Sequence, residues 1–486
     1  MKKVITLISF AILLGPDISL CAAPPVQEDQ VGGIVTSRTG MAFFPTGDPA
    51  CDEQLTYAIT TMLQDGLTKD EAVQIALYNN RKLQSRLADL GMAAADLIEA
   101  GMLSNPVFEY VRRSTDAPGD GDSIEFSVVQ SFLDLLMIPL RKKVAKAEFQ
   151  RVRAEIAADV LNAAFDTQKA FYDLQGAANR ATLLKKQVEA LSVNFAGAAA
   201  LNEAGNISDY EYHEQQLALN EQKLNLADLE SQIVELREKL NMQMGLWGPA
   251  VDWTIAPALP SLPRQPVPSE GLETIAICQR LDLEVARMEI EAAARKAGIA
   301  DITGLIPALD FGLVREREPD GTRLRGYSIE GEIPIFNQGQ GKISRSRAKL
   351  FQAQADYYAK AVEVRAEVRS ARAQMARSRE RVQYYREEVM PLQERLNGEA
   401  LLMFNAMELD LFELLQIKKS QIQTEQDSIK ALQDYWVNYS MLEKALGGSL
   451  TCPQMIPVSE PARPMPPASA RQKQMPSQQM MKGKAR

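Results

Sequence analysis

The sequence predicts a mainly α fold with a small β part, in which a unit of helix, β-hairpin and helical hairpin occurs twice. Three observations carry this. Apolar residues recur at helical spacing through most of the chain. Two pairs of short segments alternate apolar and polar residues around strong turn signals. The same order of elements returns in the second half.

The composition excludes several classes. The chain has 486 residues, with 54 Lys+Arg against 63 Asp+Glu and a formal net charge of -9. Its length allows about two to four domains. One His and four Cys leave little for zinc chemistry or a His-based relay. An acidic chain is a poor nucleic-acid binder, because phosphate contacts need clustered Lys and Arg. No nucleophile–base pair and no metal-ligand spacing stands out, so no enzyme, cofactor or resident metal is expected. Aromatic residues make up 6 % against 46 % hydrophobic, which points to long Ala/Leu/Gln/Glu helices.

Residues 1–22 read as an export signal. Met1, Lys2 and Lys3 form a positive start, Val4 to Gly15 an apolar run too short to span a bilayer, and Cys21-Ala22-Ala23 a small-residue cleavage region. Cys21 has two readings: the acylated cysteine of a lipoprotein, from which Leu20 departs, or a residue beside an ordinary cleavage point. No later run is apolar for long enough to form a transmembrane helix, although an exported chain can still enter a membrane as a β-barrel. Cys51 and Cys452 flank the ordered region and either pair or remain thiols, with Cys278 on the apolar face of a helix.

The first helix opens at Leu67-Thr68-Lys69-Asp70-Glu71, where Thr68 fits an N-cap and Glu71 the capping-box position. It is expected to run to about Gly101 and to break at Asn105-Pro106. Val107 to Val111, the turn Thr115 to Gly121 and Ile124 to Val128 then read as a hairpin. A long helix from about Pro139 to Ala200 follows, with Ile156, Val160, Phe171 and Leu174 on its apolar stripe. Gly205 fits its stop, and Ser208 or Asp209 fits the cap of the returning helix, which ends at Leu240 to Gly245.

From Gly271 the pattern begins again. Leu272, Ile275, Ala276 and Leu283 precede a break at Gly304 to Pro307. Leu309 to Leu313, the turn Glu318-Pro319-Asp320-Gly321 and Tyr327 to Ile333 form the second hairpin. The long helix runs from about Gly341 to Leu402, and the turn near Phe404-Asn405-Ala406-Met407 leads to a helix ending at Gly447-Gly448. Asn405 fits the left-handed cap in place of Gly. Pro249 to Ser269 reads as an ordered linker packed on the helices. The tail from Pro453 is basic and rich in Pro, Gln, Ser and Met, and is expected to be disordered. By alternation alone, each hairpin suits either a membrane strand pair or a soluble edge hairpin.

This plan resembles the TolC-like outer-membrane efflux protein family, over roughly Leu67 to Gly448. Leu67-Thr68-Lys69-Asp70-Glu71-Ala72-Val73-Gln74-Ile75-Ala76-Leu77-Tyr78-Asn79-Asn80 is similar to its opening helix. Glu332-Ile333-Pro334-Ile335-Phe336-Asn337-Gln338-Gly339 is similar to its strand-to-helix junction. Glu203-Ala204-Gly205-Asn206-Ile207-Ser208 resembles its helical tip, and Leu240-Asn241-Met242-Gln243-Met244-Gly245 its repeat end.

The resemblance implies a homotrimer in the bacterial outer membrane. Each protomer would give four strands to one β-barrel in outer-membrane lipid, continued by a long α-helical periplasmic barrel. It divides the chain into the signal 1–22, an N-terminal equatorial segment 23–66, repeat 1 over 67–248 with its hairpin at 104–133, a linker 249–270, repeat 2 over 271–448 with its hairpin at 305–336, and the tail 449–486. Ile124, Phe126, Val128, Tyr327, Ile329 and Ile333 would face lipid; Glu125, Ser127, Glu330 and Glu332 would line the channel. The implied function is passive conduction within a tripartite efflux system, beside a periplasmic adaptor protein and an inner-membrane transporter. A type I protein-secretion duct and a structural coiled-coil envelope protein are the alternatives.

The resemblance also implies site residues. Glu413 falls at a constriction carboxylate, Gln416 at a second such position that is often acidic, and Glu211 at the counterpart in the first repeat. The plain alternative for Glu413 is a solvated helix residue. Gly205, Asn206, Ile207 and Ser208 at one tip, and Asn405, Ala406 and Met407 at the other, would meet the adaptor. Phe404 and Leu409 do not reproduce a Tyr–Arg latch. His213, just past the first tip, reads as an exposed surface residue rather than a pH or metal site. The 19 Met, including Met455, Met465, Met475, Met480 and Met481 in the tail, are either filler or thioethers suited to copper. Val128 to Leu136 and Phe336 to Gly341 resemble a branch linked to copper resistance, so the leading cargo expectation is heavy-metal ions such as copper.

Overall fold

The computed structural model describes residues 28–41, 49–64, 66–114, 122–256, 258–267, 270–305, 308–448 and Leu450. All lie in a unit spanning Met1–Gln454. The export signal with Cys21, the side chain of Cys51, Cys452, the first hairpin's turn and the Met-rich tail lie outside the described residues.

Helices dominate. α1 (Glu28–Thr39), α2 (Pro49–Met62), α3 (Lys69–Asn79) and α4 (Arg81–Glu99) precede strands β1 (Val107–Arg113) and β2 (Ser123–Ser131). α5 (Phe132–Glu203) and α6 (Asp209–Met244) form the first long pair. α7 (Leu272–Gln279) and α8 (Leu281–Leu305) lead to β3 (Leu309–Arg317) and β4 (Arg323–Gly331). α9 (Gln340–Tyr384) continues through a π-helical turn, Tyr385–Val389, into α10 (Met390–Asn405), and α11 (Leu411–Leu446) returns.

The first helix is not continuous to Gly101. It breaks at Asn80, whose φ of -70° and ψ of 106° are extended. Asn80 closes α3 with its N–H to the Ala76 carbonyl and opens α4 by accepting from the Lys82 N–H at 3.0 Å. Its side-chain amide donates to the Gln243 carbonyl at 3.0 Å, and Asn79 donates to the Met244 and Gly245 carbonyls. Two backbone ends thereby satisfy each other through side chains. α7 and α8 break in the same way at Arg280, with ψ 124°. Thr68 does cap α3 in a capping box with Glu71.

The long helices also differ in detail from the sequence expectation. α5 begins at Phe132, directly after β2, and carries Pro139 within its first turns. At the eighth position Pro139 lacks the N–H that would bond the Leu135 carbonyl, so the helix continues there with one hydrogen bond fewer. At 72 residues α5 is about 108 Å long. The second long run is interrupted by the π-turn just before Pro391, which takes up the proline's lost hydrogen bond.

Four apolar clusters among the described residues hold the helices, the smallest being Ala177, Ala181, Leu184 and Leu229 between α5 and α6. α1, α3, α4 and α5 meet through Val31, Val35, Leu77, Leu90, Ile156 and Phe165. Leu67, Ile75, Phe171, Leu240, Met244 and Trp253 form the second. Leu272, Leu283, Val364, Tyr435, Leu442 and Leu446 form the third. Each fully buried side chain of this size stabilises by ~1.5–3 kcal/mol. Cys278 is exposed, not on an apolar face, because α7 buries Leu272 and Ala276 instead. The Pro-rich stretch after α6 packs on the helices: Gln175 donates to the Ala256 and Ala258 carbonyls, and Trp436 to that of Pro260.

The strands form one antiparallel sheet in the order β1-β2-β3-β4. Its register places Phe108, Tyr110, Ile124, Phe126, Val128, Phe311, Leu313, Tyr327 and Ile329 on one face. Glu109, Glu125, Ser127, Asp310, Glu316 and Glu330 lie on the other. On β3 the first face is exposed at Phe311 and Leu313 while Gly312 opposite is buried, so the first face is the outward one and the face carrying these carboxylates the inward one. β4 ends at Gly331, so Glu332 and Ile333, expected on the two faces of the strand, lie beyond it.

Candidate functional site

The candidate site has two ends: the helical tips and the four-stranded sheet.

The first tip joins α5 to α6. Gly205 is left-handed, with φ 73°. Its N–H donates to the Asn202 carbonyl at 2.9 Å and that of Asn206 to Leu201 at 2.8 Å, the pattern of a Schellman stop. Ser208, rather than Asp209, caps α6. Its hydroxyl accepts from the Glu211 N–H, and the Glu211 carboxylate accepts from the Ser208 N–H at 2.8 Å. These bonds hold the Glu211 carboxyl below the usual range, although nearby Asp410 of the second tip opposes them. Glu211 is thus occupied as a cap.

The second tip reproduces the first with one substitution. The Met407 N–H donates to the Phe404 carbonyl at 3.0 Å and that of Glu408 to Met403 at 2.9 Å. The left-handed residue is Met407, with φ 60°, the single described non-glycine residue at positive φ. Asn405, expected in that conformation, is the last residue of α10. Met407 is 94 % exposed. Asp410 caps α11 by accepting from the Glu413 N–H at 2.8 Å.

Glu211 and Glu413 are therefore equivalent, each the third residue of its returning helix. Among the described residues Glu211 closes a capping box, whereas Glu413 donates only its backbone N–H to the cap. Glu413 and Gln416 are exposed one turn apart, while Leu414 between them is buried. His213 is exposed, with its ring 5.2 Å from that of Tyr212.

The sheet end carries opposite chemistry on its two faces. Tyr110 and Phe126 pack with ring centroids 5.0 Å apart and planes tilted by 50° on the outward face. The inward face is lined by carboxylates. Below the sheet, Ile333, Ile335 and Phe336 are exposed, Phe336 by 93 %. β1 and β4 are unpaired on their outer edges. Further apolar side chains stand out along the helices: Tyr210, Leu217 and Leu224 recur every seven residues on α6, and Phe351, Tyr358 and Val362 follow one face of α9.

Among the described residues no group of three or more His, Cys, Asp or Glu is placed to hold a metal ion. No described helix is long and apolar enough to cross a membrane. Sequence reasoning missed the position of the strained Met407 φ and a group of arginines on the outward face of the sheet. The alternation Phe311, Leu313, Arg315, Arg317 was the available signal for the arginines.

No protein-family model and no curated protein sequence matches the chain. Solved structures do. The CmeC outer membrane channel of Campylobacter jejuni is 16 % identical, covers 78 % of this chain and 85 % of its own, and superposes with a TM-score of 0.67. CusC, described for its folding and transmembrane channel formation, is 15 % identical over 80 % of this chain and 94 % of its own, at 0.66. The open state of the Neisseria gonorrhoeae MtrE outer membrane channel is 16 % identical over 79 % of this chain and 89 % of its own, at 0.63. The tips, the long helical pairs and the four-stranded sheet therefore belong to a chain with the fold of outer-membrane channels.

Proposed function

We propose that the chain is a member of the TolC-like outer-membrane efflux proteins and forms the outer-membrane channel of a tripartite efflux system, without enzymatic activity of its own. The observation that carries this is the four-stranded sheet. It exposes an apolar face, carries carboxylates on the opposite one and leaves both edges unpaired. Unpaired edges are not tolerated in lipid, and one protomer has too few strands to close. Three copies supply ~12 strands, enough to enclose a water-filled lumen. The uncovered seven-residue stripe of α6 and the exposed face of α9 then meet neighbouring protomers. The matching order of helix, hairpin and helical pair, with breaks at Asn80 and Arg280, supports two repeats.

The helices form the periplasmic tunnel. The two tips close its far end, where Gly205, Asn206, Ile207, Ser208, Asn405, Ala406 and Met407 meet the adaptor and, through it, the inner-membrane transporter. Three Glu413 side chains at the narrowing form the gate, with Gln416 one turn on, and favour cations. Glu211 supports the gate by fixing its helix start. The N-terminal residues carry the export signal, and Cys21 is the residue to examine for acylation. Copper or another heavy-metal ion is the proposed cargo. It rests on the Met-rich tail and on the resemblance of Val128 to Leu136 and Phe336 to Gly341 to a copper-linked branch.

Membrane fractionation tests the function. The protein is expected in the outer-membrane fraction and to resist alkaline extraction; release in soluble form would leave the structural coiled-coil reading. Deleting it is expected to raise copper sensitivity. Unchanged copper tolerance with loss of a secreted protein would favour the secretion duct.

A further inference from the structure

The outward face of the sheet changes character abruptly toward the hairpin turns. The register orders it into rows running across the strands. Phe108, Val128, Leu313 and Tyr327 form an apolar row. The next row toward the turns is Tyr110, Phe126, Arg315 and Arg325, and the one after it Arg112, Ile124, Arg317 and Arg323. One row is a step of about 6.6 Å along a strand.

Arg315 lies directly opposite Arg325, and Arg317 directly opposite Arg323. All four are exposed. Like charges directly opposite on one sheet face repel, so two such pairs side by side need a counter-charge. The other strand-end arginines have one within the chain: Arg112 bonds Asp122 at 2.7 Å, and Arg113 pairs with Glu125 at 3.4 Å on the inward face. Among the described residues no carboxylate forms an ion pair with Arg315, Arg317, Arg323 or Arg325. The inward carboxylates Glu316 and Glu330 point to the opposite side of the sheet.

We propose that these four arginines bind the phosphate groups of outer-leaflet lipid headgroups. The inference rests on the outer-membrane reading above. With the apolar row in hydrocarbon, the arginine rows fall at the headgroup level on the side away from the helices. Tyr110 and Phe126 beside them supply the aromatic edge of the interface. The planar guanidinium offers paired donors to phosphate oxygens, and four on one surface suit a headgroup bearing more than one phosphate. Such basic clusters next to a membrane-embedded band recognise anionic lipid.

The test uses the purified full-length protein in detergent with three probes: bis-phosphorylated lipid A, the same lipid with its phosphates removed, and inorganic phosphate. Bis-phosphorylated lipid A is expected to bind at least about tenfold more tightly than the dephosphorylated lipid. The variant R315Q/R317Q/R323Q/R325Q is expected to lose that preference, and the corresponding Lys variant to keep much of it. The pairwise variants R315Q/R325Q and R317Q/R323Q, each expected to lose part of it, serve if the fourfold variant does not fold. Equal binding of both lipids, or unchanged binding in a folded Gln variant, would overturn the proposal. Inorganic phosphate binding as tightly as the lipid would assign a free-anion site instead. A wild-type protein that leaves the membrane on alkaline washing defeats the outer-membrane reading itself; one that stays while its Gln variant binds lipid A normally defeats only the phosphate assignment.

Discussion

Met407 shows how a single residue departs from the local rule. Four long-helix ends stop in the same Schellman pattern, and at Gly205, Gly245 and Gly447 glycine takes the left-handed position. At the second tip Met407 takes it, at a cost of about 1–2 kcal/mol. Backbone strain that persists on an exposed apolar side chain fits a contact surface, as the proposed adaptor contact requires. Met407→Gly is expected to slow amide exchange at Glu408 while weakening adaptor capture; faster exchange would contradict the strain. Gly245 is constrained differently. A Cβ there would lie 2.5 Å from the Asn79 carbonyl oxygen, so Gly245→Ala is expected to cost more than about 1 kcal/mol in thermal unfolding. Glu413→Ala is expected to lower the cation-over-anion permeability ratio, measured as a reversal potential in a salt gradient. Glu211→Ala is expected to loosen the α6 start, because its carboxylate accepts from the Ser208 N–H. An unchanged ratio in Glu413→Ala would leave that residue a solvated side chain. The Thr68 and Ser208 caps were legible because capping boxes are local sequence patterns. The left-handed Met407 was not, since the tertiary fold imposes the turn on a residue that does not prefer it.

At the scale of elements, the helix–hairpin–helix order was legible because the hydrophobic period switches from 3.6 to 2 and back. The breaks at Asn80 and Arg280 were not, because the local bonds there, Asn80 with the Lys82 N–H and Arg280 with Asp282, act together with long-range partners: Gln243 for Asn80, and Glu367 with the Ala445 carbonyl for Arg280. Arg280 also holds Asp282, with bonds of 3.0 and 2.7 Å. Burial pushes the Asp282 carboxyl up, but Arg280, aided by Lys360 and the Leu283 N–H, keeps it below the usual carboxylate range. A carboxyl depressed in the folded state stabilises the fold above its unfolded pKa, near 4, and loses that contribution as pH falls through the lower folded value. Unfolding monitored from pH 6 to pH 3 is therefore expected to show a stability loss that Asp282→Asn makes smaller. The same slope in wild type and variant would contradict this role. The outward arginines show the limit of reading strands: alternation gave the faces, but only the register places Arg315 against Arg325 and Arg317 against Arg323.

At the scale of the whole molecule, one chain is an incomplete object. Its sheet has two open edges, its α6 stripe is uncovered, and its tips expose Met407. The edges pair and the stripe is covered if three copies assemble, while Met407 stays exposed for the proposed adaptor. The mass of the detergent-extracted protein is expected to be that of three chains; a monomer would leave the sheet edges unexplained. The absence of a catalytic constellation in the sequence fits a duct whose work is shape. The long α5 helix, about 108 Å, would set the reach of the proposed tunnel. The most direct test is conductance of the purified full-length protein in planar lipid bilayers. Discrete, cation-favouring conductance steps are expected. Protein that inserts yet never conducts, or that fails to insert at all, would contradict an outer-membrane duct.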